Sequence, residues 1–207
     1  INNNYPSDQS SPSHNDCYTI ANTASNVTVR DNIFINAQTS TNQNSQGTIV
    51  IGLVGYFAYY NNVVSTPNFT GWTSTFSIYD GNPNCQYYIY GNTFQGGANN
   101  FIVRIQTGYN QNVYFMNNII DATLSPTYNT TRITWANTSP TWSRINGNLY
   151  GNLVDYNNEL MSGNTMAELN ALGAETIGVS ANRWNVDPLF INSTAYDYTL
   201  QSGSPAI

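Results

Sequence analysis

The chain has few charged residues and no lysine at all. Only 8% of its 207 residues are charged, and five arginines face eleven acidic residues, giving a net charge of -6. The arginines are scattered along the sequence, so they cannot form the basic stripe that holds a polyanion. We therefore expect no nucleic-acid partner, and a catalytic lysine is excluded.

Histidine and long apolar runs are also scarce. His14 is the only histidine and lies in a Ser/Pro/Asn-rich stretch, so no histidine-based triad or metal cluster can be built around it. None of the apolar runs approaches the length of a membrane-spanning helix, about 20 residues, and we expect no membrane span. No basic and apolar leader opens the chain at Ile1, so we expect a secreted or cell-surface protein whose leader has been removed.

The two cysteines leave two alternatives open. Cys17 and Cys85 lie in polar, turn-like surroundings, where either a disulfide bond or two free thiols would fit. Asn-Xaa-Ser/Thr triplets accept glycans in secreted proteins, although some arise by chance in so Asn-rich a chain. Such triplets begin at Asn26, Asn68, Asn129, Asn137 and Asn192.

The strongest pattern is a short phrase that returns five times, for example NVTVRDNIFINA at 26–37 and QYYIYGNTFQG at 86–96. Each copy turns on one asparagine, which we call the pivot. Successive pivots are 30, 30, 26 and 30 residues apart, a period typical of solenoids. The pivots are Asn32, Asn62, Asn92, Asn118 and Asn148.

Apolar residues alternate on both sides of every pivot. The residues three and five before it, such as Val29 and Val27, should face inward, and the residue two after it, such as Phe34, should resume the core on another sheet. Asparagine suits the corner because it tolerates left-handed backbone angles and its amide can bond to the next pivot. We therefore predict an internal ladder of the five pivots.

A second alternating phrase precedes each later pivot, for example TIVIG at 48–52 and FIVRI at 101–105. Each repeat thus contains three strands, and the pattern predicts an all-β fold, a single right-handed parallel β-helix of about 5–7 coils. In the first strand of each repeat we place one inward column, formed by Ile51, Ile78, Ile105 and Trp135.

The C-terminal part of the chain breaks this period. The stretch 164–175 has the apolar spacing of a short helix, which we expect to lie outside the β-helix. The stretch VDPLFINSTAYDYTLQSGSPAI at 186–207 closely resembles the closing motif of bacterial and archaeal right-handed parallel β-helix proteins with the pectate-lyase-like fold. The residues that match this motif are Asp187 to Phe190, Asp197 to Leu200 and Gly203 to Ile207.

The resemblance is specific for fold and not for activity. The chain length and the repeats predict one domain over 1–207, with regular coils over 1–152, an irregular excursion over 153–185 and the closing motif over 186–207. The superfamily includes polysaccharide lyases, glycoside hydrolases, adhesins and surface proteins without known chemistry, so the activity must be argued from a site.

Enzymes that resemble this scaffold act on acidic polysaccharides along one sheet, using carboxylates or a basic residue. The candidates here are Arg104 and Arg132 on adjacent coils, which could clamp a sugar carboxylate, with Asp80 as the acid or base. A solvated face with an incidental ion pair explains the same residues, and we favour it. We predict no cofactor; a calcium site at Asp155 lacks the spacing of a carboxylate loop.

Tyrosines concentrate at the outward positions of the second strand. Four of them should form an exposed aromatic patch suited to sugar rings or to another subunit. The alternative is that tyrosine simply favours strands and stacks along the solenoid. The four residues, which we call the tyrosine patch, are Tyr60, Tyr88, Tyr90 and Tyr114.

Three functions follow from these features. The leading hypothesis is a non-catalytic extracellular structural protein that forms a surface or filament by association with copies of itself. The second is a polysaccharide lyase or hydrolase that uses Arg104, Arg132 and Asp80. The third is a carbohydrate-binding or adhesive module that uses the tyrosine patch, with a polysaccharide as its partner.

Overall fold

The computed structural model describes residues 16–21, 24–35, 46–51, 53–66, 74–79, 84–96, 101–106, 113–121, 132–135, 144–151, 183–184 and 186–207. Most of these residues lie in 18 strands, numbered here in chain order. The predicted all-β class is confirmed for this part of the chain.

Sixteen of these strands form three parallel sheets, and each sheet takes one strand from every repeat. The first sheet contains β1 (Asp16–Ala21), β4 (Gln46–Ile51), β7 (Ser74–Tyr79), β10 (Phe101–Gln106) and β13 (Arg132–Trp135). The second contains β2 (Ser25–Arg30), β5 (Val54–Tyr60), β8 (Cys85–Tyr90), β11 (Val113–Met116) and β14 (Arg144–Asn146). The third contains β3 (Ile33–Ile35), β6 (Val63–Thr66), β9 (Thr93–Gly96), β12 (Ile119–Asp121), β15 (Leu149–Gly151) and β16 (Arg183–Trp184).

The third sheet extends into a stretch that we expected to be irregular. Strand β16 pairs with β15, with Arg183 level with Leu149 and Trp184 level with Tyr150. Residues 183–184, at the end of the expected excursion over 153–185, thus add a strand to the third sheet. The rest of that excursion, including the helix predicted at 164–175, lies outside the described residues.

The second and third sheets bury the predicted columns. Three residues before the pivots, Val29 pairs with Tyr59, and Ile89 with Phe115. All four are buried, because side chains alternate along a strand and these four lie on the inner face. The predicted column two residues after the pivots is also buried, and it consists of Phe34, Val64, Phe94, Ile120 and Tyr150.

Aromatic rings join the three sheets into one core. The ring centre of Phe76, on the first sheet, lies 5.0 Å from that of Tyr59 on the second and 5.4 Å from that of Phe94 on the third. All three side chains are fully buried. Such close, tilted ring pairs add to the burial of apolar area that stabilises the fold.

The first sheet has a different register from the one we expected. Val50, and not Ile51, pairs with Ile78, while Ile51 pairs with Tyr79. Ile20 pairs with Val50 and is buried, as is Ile78. Ile78, Ile105 and Trp135 are level with one another as predicted, and the prediction was wrong only at Ile51. Strand β4 carries apolar residues at three consecutive positions, so alternation alone does not say which of them face the core.

The left-handed residue at each corner directly precedes the pivot. We attributed left-handed angles to the pivots, but the five preceding residues have φ between 51° and 64°. Only glycine, asparagine and aspartate adopt such angles at little cost, and only these types occur here. These corner residues are Asp31, Asn61, Gly91, Asn117 and Gly147.

The pivots themselves form a continuous amide ladder, as their spacing predicts. The Nδ2 group of Asn92 donates to Oδ1 of Asn118 at 3.0 Å, and Asn62 donates to Asn92 in the same way at 3.1 Å. Equivalent bonds of 3.0 Å join Asn32 to Asn62 and Asn118 to Asn148. Because the last four pivots are buried, each bond replaces one that water would otherwise make.

The stretch 186–207, which we call the closing segment, contains an antiparallel hairpin. Strand β17 (Phe190–Asn192) pairs with β18 (Asp197–Leu200). A short 3-10 helix, Ser193–Ala195, connects them, and the side chain of Asn192 caps it by accepting a bond from the Ala195 amide.

Candidate functional site

The tyrosine patch lies on the outer face of the second sheet, where its members occupy two neighbouring columns. Tyr60 is level with Tyr90, and Tyr88 is level with Tyr114. The rings of Tyr60 and Tyr90 stack with their centres 4.8 Å apart and their planes 6° from parallel. Those of Tyr88 and Tyr114 stack at 4.9 Å and 21°.

Stacking leaves the patch only partly open to solvent. Tyr90 is 37% exposed, whereas Tyr60, Tyr88 and Tyr114 are half-buried. Desolvation, and to a smaller extent the neighbouring Tyr60, raises the pKa of the Tyr90 phenol, while Arg30 lowers it. Both sequence interpretations therefore describe part of the geometry: the tyrosines stack along the repeats, and they also present a partly exposed aromatic surface.

Of the three enzymatic candidates proposed from sequence, the structure describes the backbones of two, Arg104 and Arg132. The backbones of Arg104 and Arg132 lie on adjacent strands, but Arg104 is level with Thr134 and Arg132 with Phe101. Asp80, Asp155 and His14 lie outside the described residues. Within those residues, no group of three or more histidine, cysteine, aspartate or glutamate side chains is arranged to hold a metal ion.

A polar cluster that the sequence did not predict joins the closing segment to the third sheet. The Tyr198 hydroxyl bonds to Oγ of Ser65 at 2.5 Å and also to Oε1 of Gln95. Ser65 donates to the same Gln95 oxygen at 2.8 Å. Burial raises the pKa of Tyr198 to about 12, against a smaller opposite effect of the Ser65 bond. The phenol therefore stays protonated well above neutral pH.

Asp121 and Gly151 continue the same column under the closing segment. Asp121 is level with both Gln95 and Gly151, and its side chain is fully buried. A Cβ atom on Gly151 would lie 2.9 Å from Cδ of Pro188, so only glycine lets the segment approach the sheet this closely. The column Ser65, Gln95, Asp121 is polar in the sequence, a signal that it faces something other than the apolar core.

A groove of about 680 Å³ runs between the corners and the closing segment. Its floor includes the corner and pivot residues Asn61, Asn62, Asn117 and Asn118, and its wall includes Tyr198, Leu200, Pro205, Ala206 and Ile207. Among the described residues that line it, Tyr198 has the only ionisable side chain. These residues offer amides and apolar surface.

Cys85 is a free, buried thiol, so the disulfide alternative is wrong. Cys17 lies on the first sheet in the first repeat, while Cys85 begins β8 of the second sheet, two repeats further on. Two strand spacings are about 9.6 Å, which exceeds the Cα separation that a disulfide can bridge. Desolvation raises the pKa of the Cys85 thiol, which disfavours a reactive thiolate.

Two of the five glycosylation triplets lie within the described residues, and both asparagines are exposed. Asn26 occupies a bulge with φ 54°, and its Oδ1 atom accepts a bond from the Tyr56 amide at 3.3 Å. At the second triplet, Oδ1 of Asn192 accepts a bond of 2.7 Å from the Thr194 hydroxyl. Asn68, Asn129 and Asn137 lie outside the described residues.

The comparisons with known proteins add no family to this description. No protein-family model matches the chain, and neither a curated protein nor a solved structure gave a match. In the part of the chain that the structure describes, no helix has both the length and the apolar character needed to cross a membrane.

Proposed function

We propose that the chain forms a single right-handed parallel β-helix of the pectate-lyase-like superfamily. Three features support this assignment: from β1 to β15 each sheet takes every third strand in order, the strands of adjacent repeats are parallel and in register, and 186–207 resembles the superfamily's closing motif. In this arrangement each repeat is one coil and the whole chain is one domain.

We further propose that the protein is a non-catalytic extracellular structural protein that assembles with copies of itself. The observation that carries this proposal is an exposed apolar residue on a sheet edge. Strand β3 is the last strand of the third sheet and, among the described strands, pairs only with β6. Ile33 on this strand is 62% exposed. A sheet edge with an exposed isoleucine can accept a strand from a second copy.

Electron microscopy of the purified protein tests this proposal without a choice of substrate. We expect regular fibres whose diffraction shows an axial spacing of about 4.8 Å, the distance between neighbouring strands. Dispersed single particles over the whole accessible concentration range would contradict it.

The matched variants are Ile33→Lys and Ile191→Lys. Both replace an exposed isoleucine, 62% and 55% exposed respectively, but Ile191 lies in the separate two-stranded sheet of the closing hairpin. Ile33→Lys should prevent fibre formation because a charge on the edge opposes strand addition. Ile191→Lys should still form fibres, and equal behaviour of the two variants would rule out the β3 edge as the contact.

Carbohydrate binding at the tyrosine patch is a second candidate function. The observation that favours it is the partial exposure of Tyr90 beside Tyr60 on a face where ring edges and hydroxyl groups are accessible. Aromatic surfaces with a few polar groups are typical of sites that recognise small ligands.

A further inference from the structure

The outer face of the second sheet contains one small residue among tyrosines. Ala58 lies between Tyr56 and Tyr60 along β5, and the alternation of the strand places all three on the same face. Across the strands, Ala58 is level with Thr28 on one side and with Tyr88 on the other. A single methyl group among these larger side chains leaves a recess, which we call the Ala58 recess.

One face of the Tyr88 ring is turned toward this recess. Tyr114, on the next strand, covers the opposite face by stacking at 4.9 Å. Because the stacked partner lies in the strand-to-strand direction, the free face of Tyr88 points back toward β5. There it meets Ala58, whose side chain is too short to cover it. Tyr60 and Tyr90, by contrast, cover each other's facing surfaces.

Ala58 is half-buried, and the backbone spacing around it sets the width of the recess. The Cα atoms of Tyr56 and Tyr60, four residues apart in a strand, are separated by about 13 Å. Across the sheet, Thr28 and Tyr88 are two strand spacings apart, about 9.6 Å. Tyr56 is 40% exposed and Tyr90 is 37% exposed, so the phenol groups around the recess can reach a ligand.

The charge of the surroundings matches an uncharged ligand. Two charged residues lie next to the recess, Arg30 and Asp31, which are 3.6 Å apart and opposite in sign. Arg144 is in the same column as Ala58 but three strands away, beyond Tyr88 and Tyr114. Tyrosine hydroxyls and the Gln86 amide, level with Tyr56, supply neutral hydrogen-bonding groups. A neutral sugar would find both an aromatic face and polar partners here, whereas the cation described beside the recess, Arg30, is paired with Asp31.

We propose that the Ala58 recess binds a neutral pyranose unit of a polysaccharide, with one face of the sugar ring against Tyr88. This proposal specifies the location and ligand class of the carbohydrate-binding candidate and is independent of fibre formation. Its failure would leave the assembly result unchanged, and dispersed particles in the microscope would leave the recess intact.

The test is calorimetric titration of the native protein and two variants with cellotetraose, maltotetraose and β-1,4-mannotetraose, and with tri-galacturonate as the acidic probe. We expect the native protein to bind at least one neutral tetrasaccharide. Ala58→Tyr should weaken that binding by about tenfold or more, because the new ring fills the recess while removing no other side chain. Tyr88→Ala should weaken it to a similar extent because it removes the stacking face.

Met116→Tyr is the matched control for Ala58→Tyr. It adds a ring to the same outer face, level with Tyr90 but on the far side of that ring from the recess, and should change the affinity by less than about twofold. Circular dichroism of all three variants checks that they remain folded. Absence of binding to every neutral probe, binding to tri-galacturonate alone, or equal loss in Met116→Tyr would overturn the proposal. So would a dimer that Ala58→Tyr abolishes without any sugar affinity, which would assign the recess to self-association.

Discussion

Two adjacent residues have different roles at each corner. The pivot points inward and bonds to the pivots of neighbouring repeats, while the residue before it adopts left-handed angles and faces outward. The sequence predicts the ladder because the spacing of the pivots is regular. It did not reveal which residue is left-handed, since Asn61 and Asn62, like Asn117 and Asn118, are identical in type. The glycines at Gly91 and Gly147 were the available signal, because only that column contains them.

The amide ladder should contribute most to the free energy of unfolding at a pivot whose two neighbouring pivots are also buried. Asn92 accepts bonds at Oδ1 from the backbone and side-chain nitrogens of Asn62, and it donates to the Tyr59 carbonyl at 2.8 Å and to Asn118. Asn92→Ala would leave several of these buried groups without a partner. We expect a loss of about 3 kcal/mol in the free energy of unfolding, measured by urea denaturation.

Asn32→Ala is the control for this prediction at the end of the ladder. Asn32 is half-buried, and its amide donates to Asn62 and to the Arg30 carbonyl. Its loss should cost about 1 kcal/mol or less, since water can reach the groups left behind. Equal losses of unfolding free energy in the two variants would mean that burial does not determine how much each pivot stabilises the fold.

At the scale of elements, polar side chains of the closing segment bond to the segment's own backbone. Asp187 accepts a bond from the Leu189 amide at 2.8 Å, and Asp197 accepts one from the Thr199 amide at 3.0 Å. A bond from the Thr199 side chain and, to a smaller extent, this amide bond lower the pKa of Asp197. The buried hydroxyl of Ser204 donates to the Pro188 carbonyl at 2.6 Å. The matching residues of the motif thus hold the segment in shape, which is why they predict fold and not activity.

Tyr198 should make the attachment of this segment sensitive to alkaline pH. Its pKa rises from 10.0 to about 12 in the folded protein, so the folded state favours the protonated phenol. The stabilisation is fully present below the unfolded pKa and is lost as the pH rises from 10.0 to about 12. Tyr198→Phe should lower the unfolding free energy by about 1 kcal/mol at neutral pH. The difference from the native protein should then shrink across that alkaline window, as followed by urea denaturation at each pH.

Tyr56→Phe is the matched variant for this experiment, because it removes an exposed phenol from the second sheet, away from the closing segment. Its stability profile should run parallel to that of the native protein. A Tyr198→Phe profile that also runs parallel up to pH about 12 would show that the phenol does not hold the segment.

For the whole molecule, the repeat period accounts for what could be predicted. It correctly placed the columns around the pivots because strands of adjacent repeats pair in register at spacings of 26 or 30 residues. It could not fix the register of β4, where both faces are apolar. Nor could it predict contacts that the period does not contain: Tyr198 reaches Ser65 across 133 residues of sequence.

A stack in which each repeat contacts its neighbours should also lose structure from its edges inward. Four equivalent amides report this, because each donates to the preceding pivot carbonyl: Val63 at 2.9 Å, and Thr93, Ile119 and Leu149 at 2.8 Å. Because these four hydrogen bonds are similar in length, differences in the amide exchange rate will reflect where each repeat lies in the stack. Val63 bonds to a pivot in the repeat that contains the open β3 edge, whereas Thr93 and Ile119 lie further inside.

Amide hydrogen exchange, measured by NMR on the dispersed Ile33→Lys variant, should therefore be slowest at Thr93 and Ile119. We expect exchange at Val63 to be about tenfold faster or more, since an opening that frees only the edge repeats costs less than one that frees the centre. Adding Asn92→Ala should accelerate Thr93 and Ile119 far more than Val63, because the break falls between the central repeats. A single common rate at all four amides would instead mean that the three sheets open as one unit, with the closing segment and the shared aromatic core coupling every repeat to the rest.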